Sequence, residues 1–233
     1  MPDGGASFST LTTGELLGRP LNDVEEKYAP KALYINGRMQ IPLPRPRVSM
    51  VGSRKASPEG VDAAEKIAKT LAGRDVVIVS GLAEGIDTSA HEAAIAAGGR
   101  TIAVLGTPLN KVYPQKNFEL QQEIMRDHLV ISQYPLGHPT TPKDFVLRNR
   151  TMALISDATI IVEAGDSSGS LHQGWEALRL GRSLFIWQSI LDNPKLTWPA
   201  KMLEYGAVEL SDPEDVLDVL PPSSPLRMLD VFS

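Results

Sequence analysis

The chain has 233 residues, which is enough for one large domain or two small ones. With 42% apolar and 22% charged residues, its composition is that of a globular protein with a sizeable core. The lack of cysteine excludes disulfides and thiolate metal sites and is compatible with the cytoplasm, where we expect the protein. A net charge of −5 argues against a surface coated with basic residues, but it is compatible with a local basic groove.

The ends of the chain differ in composition from its middle. Residues near the amino terminus are rich in Gly, Ser and Thr, and the last residues are rich in Pro and Ser. We therefore expect a flexible leader over residues 1–27, one domain over residues 28–220 and a frayed tail over residues 221–233. The start of the chain lacks the pattern of a signal peptide, and no apolar run is long enough to span a bilayer, so we expect no membrane partner.

Six short apolar runs, separated by segments with helical patterns, predict the strands of a sheet. The run that ends at Ser80-Gly81 and the run that ends at Leu105-Gly106 enclose one Ala-rich helix, which is the pattern of a parallel strand pair with a crossover helix. The same reasoning predicts an α/β fold with a mainly parallel sheet. The predicted strands cover residues 48–51, 76–79, 101–105, 129–132, 159–163 and 184–187.

Other elements are predicted from local signals. A strand over residues 32–35 precedes an Asn36-Gly37 turn signal. Ser57 and Pro58 are suited to the start of a helix that ends near Gly73. A further helix is predicted over residues 116–126. Four Pro and Gly residues between positions 135 and 142 predict a long functional or covering loop, followed by a helix over residues 148–155.

Three strand-to-helix loops have the small residues that let an anion approach the backbone. They are Gly52-Ser53-Arg54, Ser80-Gly81 and Ser168-Gly169-Ser170. Because the carboxyl ends of parallel strands share one edge of the sheet, three such loops favour binding of a phosphate or phosphodiester over plain turns. Basic residues lie close by in the sequence, at Lys55, Lys116, Lys143, Arg148 and Arg150.

The other polar candidates favour structural roles. Asp87 is expected to cap the helix that follows it. Glu163 ends a strand, where we expect it to bind loop amides rather than to act in catalysis. The four histidines lack the spacing of metal ligands, and neither a Walker A loop nor a Gly-x-Gly-x-x-Gly fingerprint is present. Tyr113 and Phe145 lie beside the basic residues, and both base stacking and core packing remain open for them.

Several of these motifs together resemble the signature of the DNA-processing protein A (DprA/Smf) family, over about residues 28–210. The motifs are Val51-Gly52-Ser53-Arg54-Lys55, the run from Ser80 to Asp87 with Ala90-His91, Thr101 to Gly106, Tyr113-Pro114 with Asn117, Phe145 with Arg148-Asn149-Arg150, Val162-Glu163-Ala164 and Ser168-Gly169-Ser170-Leu171.

The resemblance implies an extended Rossmann-like three-layer domain that binds single-stranded DNA without catalysis and without a cofactor. It further implies a role in natural transformation, loading of a RecA-type recombinase onto DNA, and a homodimer. The residues expected to contact DNA or phosphate are Gly52, Ser53, Arg54, Lys55, Ser80, Gly81, Lys116, Asn117, Arg148, Asn149, Arg150, Ser168, Gly169 and Ser170.

Two other functions stay open. The wider superfamily includes small-nucleotide sensors and phosphoribohydrolase-like enzymes, whose Gly-Gly-x-Gly-Thr loop is replaced here by Ser168-Gly169-Ser170-Leu171. A domain that only binds a protein partner is suggested by the acidic net charge alone.

Overall fold

The computed structural model describes residues 8–223, which form one nine-stranded sheet covered by helices. The strands are β1 (Ser9–Leu11), β2 (Leu33–Gly37), β3 (Arg47–Gly52), β4 (Val77–Ser80), β5 (Thr101–Leu105), β6 (Leu129–Ser132), β7 (Ala158–Glu163), β8 (Ser183–Trp187) and β9 (Val208–Leu210). The α-helices are α1 (Thr13–Leu17), α2 (Asp23–Glu26), α3 (Pro58–Ala72), α4 (Ile86–Ala96), α5 (Phe118–Asp127), α6 (Pro142–Ile155), α7 (Ser170–Arg179), α8 (Gln188–Leu191) and α9 (Trp198–Glu204).

The sheet order is β1-β2-β6-β5-β4-β3-β7-β8-β9. In this order, every neighbouring pair of strands from β6 through β5, β4, β3, β7 and β8 to β9 is parallel. At the other edge, β1 pairs antiparallel with β2, and β2 pairs antiparallel with β6. All six predicted strands are confirmed, and the fold is the predicted α/β fold with a mainly parallel sheet. The Asn36-Gly37 turn is wrong, because both residues continue β2 and pair with β6.

Alternate residues of the central strands pack on opposite faces, which gives three layers. Val77 and Val79 belong to the core on one side of the sheet, and Ile78 belongs to the core on the other. The first core includes Met152 of α6, and the second includes Ile67 of α3. Burial on both faces explains why these strands are apolar throughout rather than alternating.

The predicted leader is wrong over residues 8–26. This stretch forms β1, α1 and α2, and Leu16 of α1 is fully buried in the core. Its two helices begin with capping boxes, Thr12 with Glu15 and Asn22 with Glu25, which satisfy the free amides of the first turn. Residues 1–7 and 224–233 lie outside the described residues, so most of the predicted tail lies there too.

The predicted start of the helix at residue 148 is also wrong. Helix α6 begins at Pro142, with Thr141 and Asp144 forming a capping box. Proline suits the first turn of a helix because its missing N–H would be unpaired there. The covering loop therefore ends about two turns earlier than predicted. Among residues 8–223, no helix is long and apolar enough to cross a membrane.

Candidate nucleic-acid interface

A cleft of about 690 Å³ opens at the carboxyl ends of the central strands, where open α/β sheets bind their ligands. The loops after β3, β4 and β7 and the first two turns of α6 form its walls. We call it the carboxyl-edge cleft. Its lining residues are Val51, Gly52, Ser53, Arg54, Lys55, Ala83, Asp87, Tyr113, Pro142, Phe145, Val146, Arg148, Asn149, Gly165, Ser167, Ser168, Gly169 and Ser170.

Two exposed cations, Arg54 and Lys55, project from the loop after β3. This loop is held from below, because the N–H of Ser53 donates to the carbonyl of Glu163 (2.7 Å) and its hydroxyl accepts from the N–H of Lys55 (3.1 Å). Within residues 8–223, neither cation forms an ion pair. Both charges therefore face the cleft without an ion-pair partner among residues 8–223.

An aromatic pair, Tyr113 and Phe145, lies beside these cations. The ring centroids are 5.2 Å apart, Tyr113 is 49% exposed, and the Arg54 guanidinium lies 5.6 Å from the centre of the Phe145 ring. Phe145 lies against the end of β5, where a Cβ on Gly106 would come within 2.5 Å of its ring. Phe145 is in α6, not in a loop, and the exposed Tyr113 favours stacking over core packing for this pair.

The loop after β7 forms the opposite wall. The Ser170 hydroxyl donates to the carbonyl of Gly52 (3.0 Å), and it accepts a hydrogen bond from the Ser168 hydroxyl (3.1 Å). These bonds tie the loop after β7 to the loop after β3. A Cβ added at Gly165 or Gly169 would meet open space, so a ligand can approach the backbone there.

Arg148 is internal, although it reaches the floor of the cleft. It is only 4% exposed, and its Nη1 donates to the carbonyls of Gly81 and Val104 (2.7 Å for Val104). Burial lowers its pKa, an effect that the charge of Asp87 opposes. The guanidinium thus joins the ends of β4 and β5, and a Cβ on Gly81 would collide with it at 2.2 Å.

Asp87 does not cap α4 as predicted. Helix α4 begins at Ile86, so Asp87 lies in its first turn, and its Oδ2 accepts the N–H groups of Gly81 (3.1 Å) and Ala83 (3.3 Å). Burial raises the pKa of Asp87, while the charge of Arg148 opposes that rise. Together the two side chains fix the loop after β4.

The remaining predicted residues outside the cleft have partners of their own. The Ser80 hydroxyl donates to the carbonyl of Met50 (2.7 Å). The Asn117 amide donates to the carbonyl of Leu82 (3.0 Å). Lys116 pairs with Glu84 (3.0 Å) and Arg150 with Glu176 (3.1 Å).

The structure thus divides the predicted site residues into three groups. Those brought together in the carboxyl-edge cleft are Gly52, Ser53, Arg54, Lys55, Arg148, Asn149, Ser168, Gly169 and Ser170. Gly81 lines an adjoining cavity of about 230 Å³ that shares Arg54 and Phe145 with the cleft. Ser80, Lys116, Asn117 and Arg150 line neither.

The sequence analysis missed two residues of α6 that line the carboxyl-edge cleft, Pro142 and Val146. With Phe145 and Asn149 they have the spacing of one helix face, at positions i, i+3, i+4 and i+7. If the helix had been predicted to start at Pro142, this spacing would have placed all four residues at the cleft. The misplaced start of α6 concealed this pattern.

Glu163 binds a loop amide, as predicted. Its carboxylate accepts the N–H (3.0 Å) and the hydroxyl (2.5 Å) of Ser57, which fixes the start of α3. No group of His, Cys, Asp or Glu side chains in residues 8–223 is arranged to hold a metal. Burial lowers the pKa of His91 to about 3, and its Nδ1 lies 2.6 Å from the Thr101 hydroxyl, so this histidine is neutral and internal.

The family model described as DNA recombination-mediator protein A matches residues 19–221. The chain belongs to this family. Among curated members, the DNA processing protein DprA of Streptococcus pneumoniae is 42% identical over 197 residues, which cover 84% of this chain and 69% of that protein. The protein Smf of Escherichia coli is 35% identical over 82% of this chain and 51% of its own length. Thus the chain spans between half and about two thirds of these two family members.

Solved structures of family members share the fold. The X-ray structure of DprA from Streptococcus pneumoniae has a TM-score of 0.76 at 33% identity, over 93% of this chain and 75% of that one. DNA processing protein A from Helicobacter pylori has a TM-score of 0.77 at 27% identity, over 92% and 95%. Its structure describes a single-stranded DNA binding mode of that protein. These likenesses confirm the Rossmann-like fold of this family member.

Proposed function

We propose that this protein binds single-stranded DNA in the carboxyl-edge cleft and does not cleave it. The observation that carries the proposal is the juxtaposition of Arg54 and Lys55 with the aromatic pair Tyr113 and Phe145. Cations that track a phosphate backbone, together with aromatic rings on which bases stack, are the two features that bind single strands without sequence preference. The DNA binding of the Helicobacter pylori relative supports the proposal.

The cleft suggests a division of roles among its residues. The cations would contact phosphates, and the open backbone at Gly165 and Gly169 would let the strand pass close to the loop after β7. Arg148 would act indirectly, because it lies at the floor of the cleft and holds the loop that contains Gly81 in place. Bases would stack on Tyr113, whose exposed ring is the outer member of the aromatic pair.

Membership of the family supports a wider role. As part of the same proposal, the protein acts in the cytoplasm in natural transformation and recombination, passes the strand to a RecA-type recombinase and works as a homodimer.

Arg54→Glu tests the DNA cleft. Titrated with labelled oligothymidine, it should bind about 10- to 100-fold more weakly than wild type, since a charge-assisted hydrogen bond is removed and repulsion is added. The slope of log affinity against log salt should become shallower by about 0.7 for each phosphate that the variant no longer neutralises. The matched control is Arg74→Glu, an exposed arginine that precedes β4 at the opposite edge of the sheet.

Circular dichroism at the same temperature checks that both variants are folded. If a folded Arg54→Glu binds as tightly as Arg74→Glu, with the same salt slope, Arg54 is a surface residue and the strand lies elsewhere.

A nucleotide enzyme is the second candidate, because about 690 Å³ is also within the size range of small-molecule sites. We expect no release of free base from nucleoside monophosphates, since the Glu163 carboxylate is already hydrogen-bonded to Ser57. The assay follows base release by chromatography, with Glu163→Gln as the comparison. Turnover by wild type that disappears in this variant would favour the enzyme.

A further inference from the structure

A second polar cavity, of about 160 Å³, lies at the amino ends of β3, β7 and β8, on the edge of the sheet opposite the carboxyl-edge cleft. Arg47 begins β3, Asp157 immediately precedes β7, and Arg182 immediately precedes β8. We call it the amino-edge cavity. Its charged lining residues are Arg19, Glu25, Arg45, Arg47, Asp157 and Arg182.

Positive charge exceeds negative charge in this lining, because four guanidinium groups face two carboxylates. Each carboxylate is shared. Glu25 accepts from Arg19 (2.7 Å) and from Arg182 (2.5 Å). Asp157 accepts from Arg45 (2.6 Å) and from the backbone N–H of Arg47 (2.8 Å). Among these lining side chains, the arginines thus outnumber the carboxylates by two.

Arg47 is the most deeply buried of the four arginines. Its side chain is 6% exposed, and burial lowers its pKa to about 10, against the charge of Asp157 and with the help of the other three arginines. For Glu25, one of the two carboxylates of the cavity, the hydrogen bond from Arg19 lowers the pKa to about 2, against the effect of burial. An anion in the cavity would relieve the repulsion among the arginines.

Arg182 also has an N–H group that the protein does not use. Its Nε is buried and has no hydrogen-bond partner within the described part of the chain, although its Nη2 is bonded to Glu25. A buried donor without a partner is rare in native structures and calls for a specific reason. The Arg182 side chain as a whole remains 22% exposed, so other atoms of this side chain are open to solvent.

We propose that the amino-edge cavity binds one phosphate group. Guanidinium groups present planar donor forks that suit phosphate oxygens, and here four of them line a single small space. At about 160 Å³ the cavity is well below the usual size of pockets for larger small molecules, so it has room for a phosphate group rather than a whole nucleotide. The phosphate belongs either to free inorganic phosphate or to the 5′ end of a DNA strand.

Thermal unfolding of the full chain in potassium phosphate, against potassium chloride at equal ionic strength, tests the site. Wild type should show a saturable rise in Tm, of roughly 5 to 10 °C at 100 times the Kd. Arg182→Gln should abolish the rise. Arg19→Gln, at a more exposed position, serves as a second variant if Arg182→Gln does not fold. Arg74→Gln makes the same charge change at the same edge of the sheet, outside the cavity, and should keep the rise.

A second arm compares 5′-phosphorylated with 5′-hydroxyl oligothymidine. Tighter binding of the phosphorylated strand, abolished in Arg182→Gln, identifies the strand end as the ligand, and equal binding with a retained rise in Tm identifies the free ion. No saturable rise in wild type, or the same rise in Arg182→Gln and in Arg19→Gln, would overturn the proposal. Arg54→Glu should keep the rise in Tm, so a failure here is distinct from a failure of the DNA cleft.

Discussion

Two arginines on α6, two residues apart, have opposite environments. Arg148 is buried and binds the ends of β4 and β5, whereas Arg150 is on the surface and pairs with Glu176. Positions i and i+2 of a helix do not share a face, so one reaches the cleft floor and the other points away from it. The two residues are equivalent in the sequence motif but not in the structure.

This difference predicts a large contrast in stability. Arg148→Met should lower the free energy of unfolding by about 3–5 kcal/mol, because it leaves Asp87 buried without its countercharge and the Val104 carbonyl without a donor. Arg150→Met should cost less than about 1 kcal/mol, because Arg150 is 39% exposed and Glu176 keeps Arg179 as a partner. Urea unfolding followed by circular dichroism measures both. Equal costs would contradict the internal role of Arg148.

The site was predictable from the sequence where backbone position alone decides it. Gly52 ends β3 and Arg54 follows it, which places both residues at the carboxyl edge of the sheet. Asn117 and Ser80 lie outside the cleft, and their side chains turn inward to bind backbone carbonyls. The direction of a short polar side chain depends on its neighbours in space, which a sequence pattern does not supply.

At the scale of elements, α2 is fastened to the sheet mainly through one carboxylate. Glu25 is 1% exposed and binds Arg19 from its own segment and Arg182 at the start of β8. The hydrogen bond from Arg19, against the effect of burial, lowers its pKa from 4.5 to about 2. The ordered segment over residues 8–26 therefore depends on an ionised Glu25.

Glu25→Gln should consequently lower the free energy of unfolding, by an amount that depends on pH. A carboxyl group with a lowered pKa stabilises the fold above its unfolded pKa and loses that contribution as the pH falls through its folded pKa. Wild type should exceed Glu25→Gln by on the order of 3 kcal/mol at pH 7, and more than half of that difference should disappear by pH 3. Urea unfolding of both proteins at pH 7, 5, 4 and 3 gives the curve. A difference that does not change with pH would contradict this role.

The helices show why some elements were harder to predict than others. Helix α3 has a serine cap, a proline and a regular apolar face, and all three signals agree. Helix α6 begins in a segment of prolines whose composition predicts a loop, and its start is marked by Pro142 and by the capping box of Thr141 with Asp144. Segment 8–26 has the same kind of signal in its two capping boxes, but its short helices and polar composition concealed it.

At the scale of the molecule, the parallel centre of the sheet was predictable and its edges were not. Central strands are buried on both faces, so continuous apolar runs mark them. The edge strands β1 and β9 have three residues each and are partly exposed, so their composition resembles that of loops. Their pairing with β2 and β8 is a tertiary contact that no local pattern contains.

The distribution of charge over the molecule explains how an acidic chain can hold anions. The net charge is −5, yet both edges of the sheet concentrate arginine and lysine. At the carboxyl edge the cations Arg54 and Lys55 are exposed beside aromatic rings, which suits a flexible strand. At the amino edge the arginines enclose a small space, which suits a single phosphate group. The two kinds of anion site thus lie at opposite ends of the strands, one strand length apart.

The most direct measurement is photocrosslinking of an oligothymidine that carries 5-iodouracil, with the crosslinked residues identified by mass spectrometry. A strand that stacks on the aromatic pair should crosslink to Tyr113 or Phe145. The exposed Tyr205 and Tyr28 lie outside the carboxyl-edge cleft and serve as internal controls that should not react. Arg54→Glu should reduce the yield at Tyr113 and Phe145. Crosslinks at Tyr28 or Tyr205 with none in the cleft would contradict the proposal that the carboxyl-edge cleft holds single-stranded DNA.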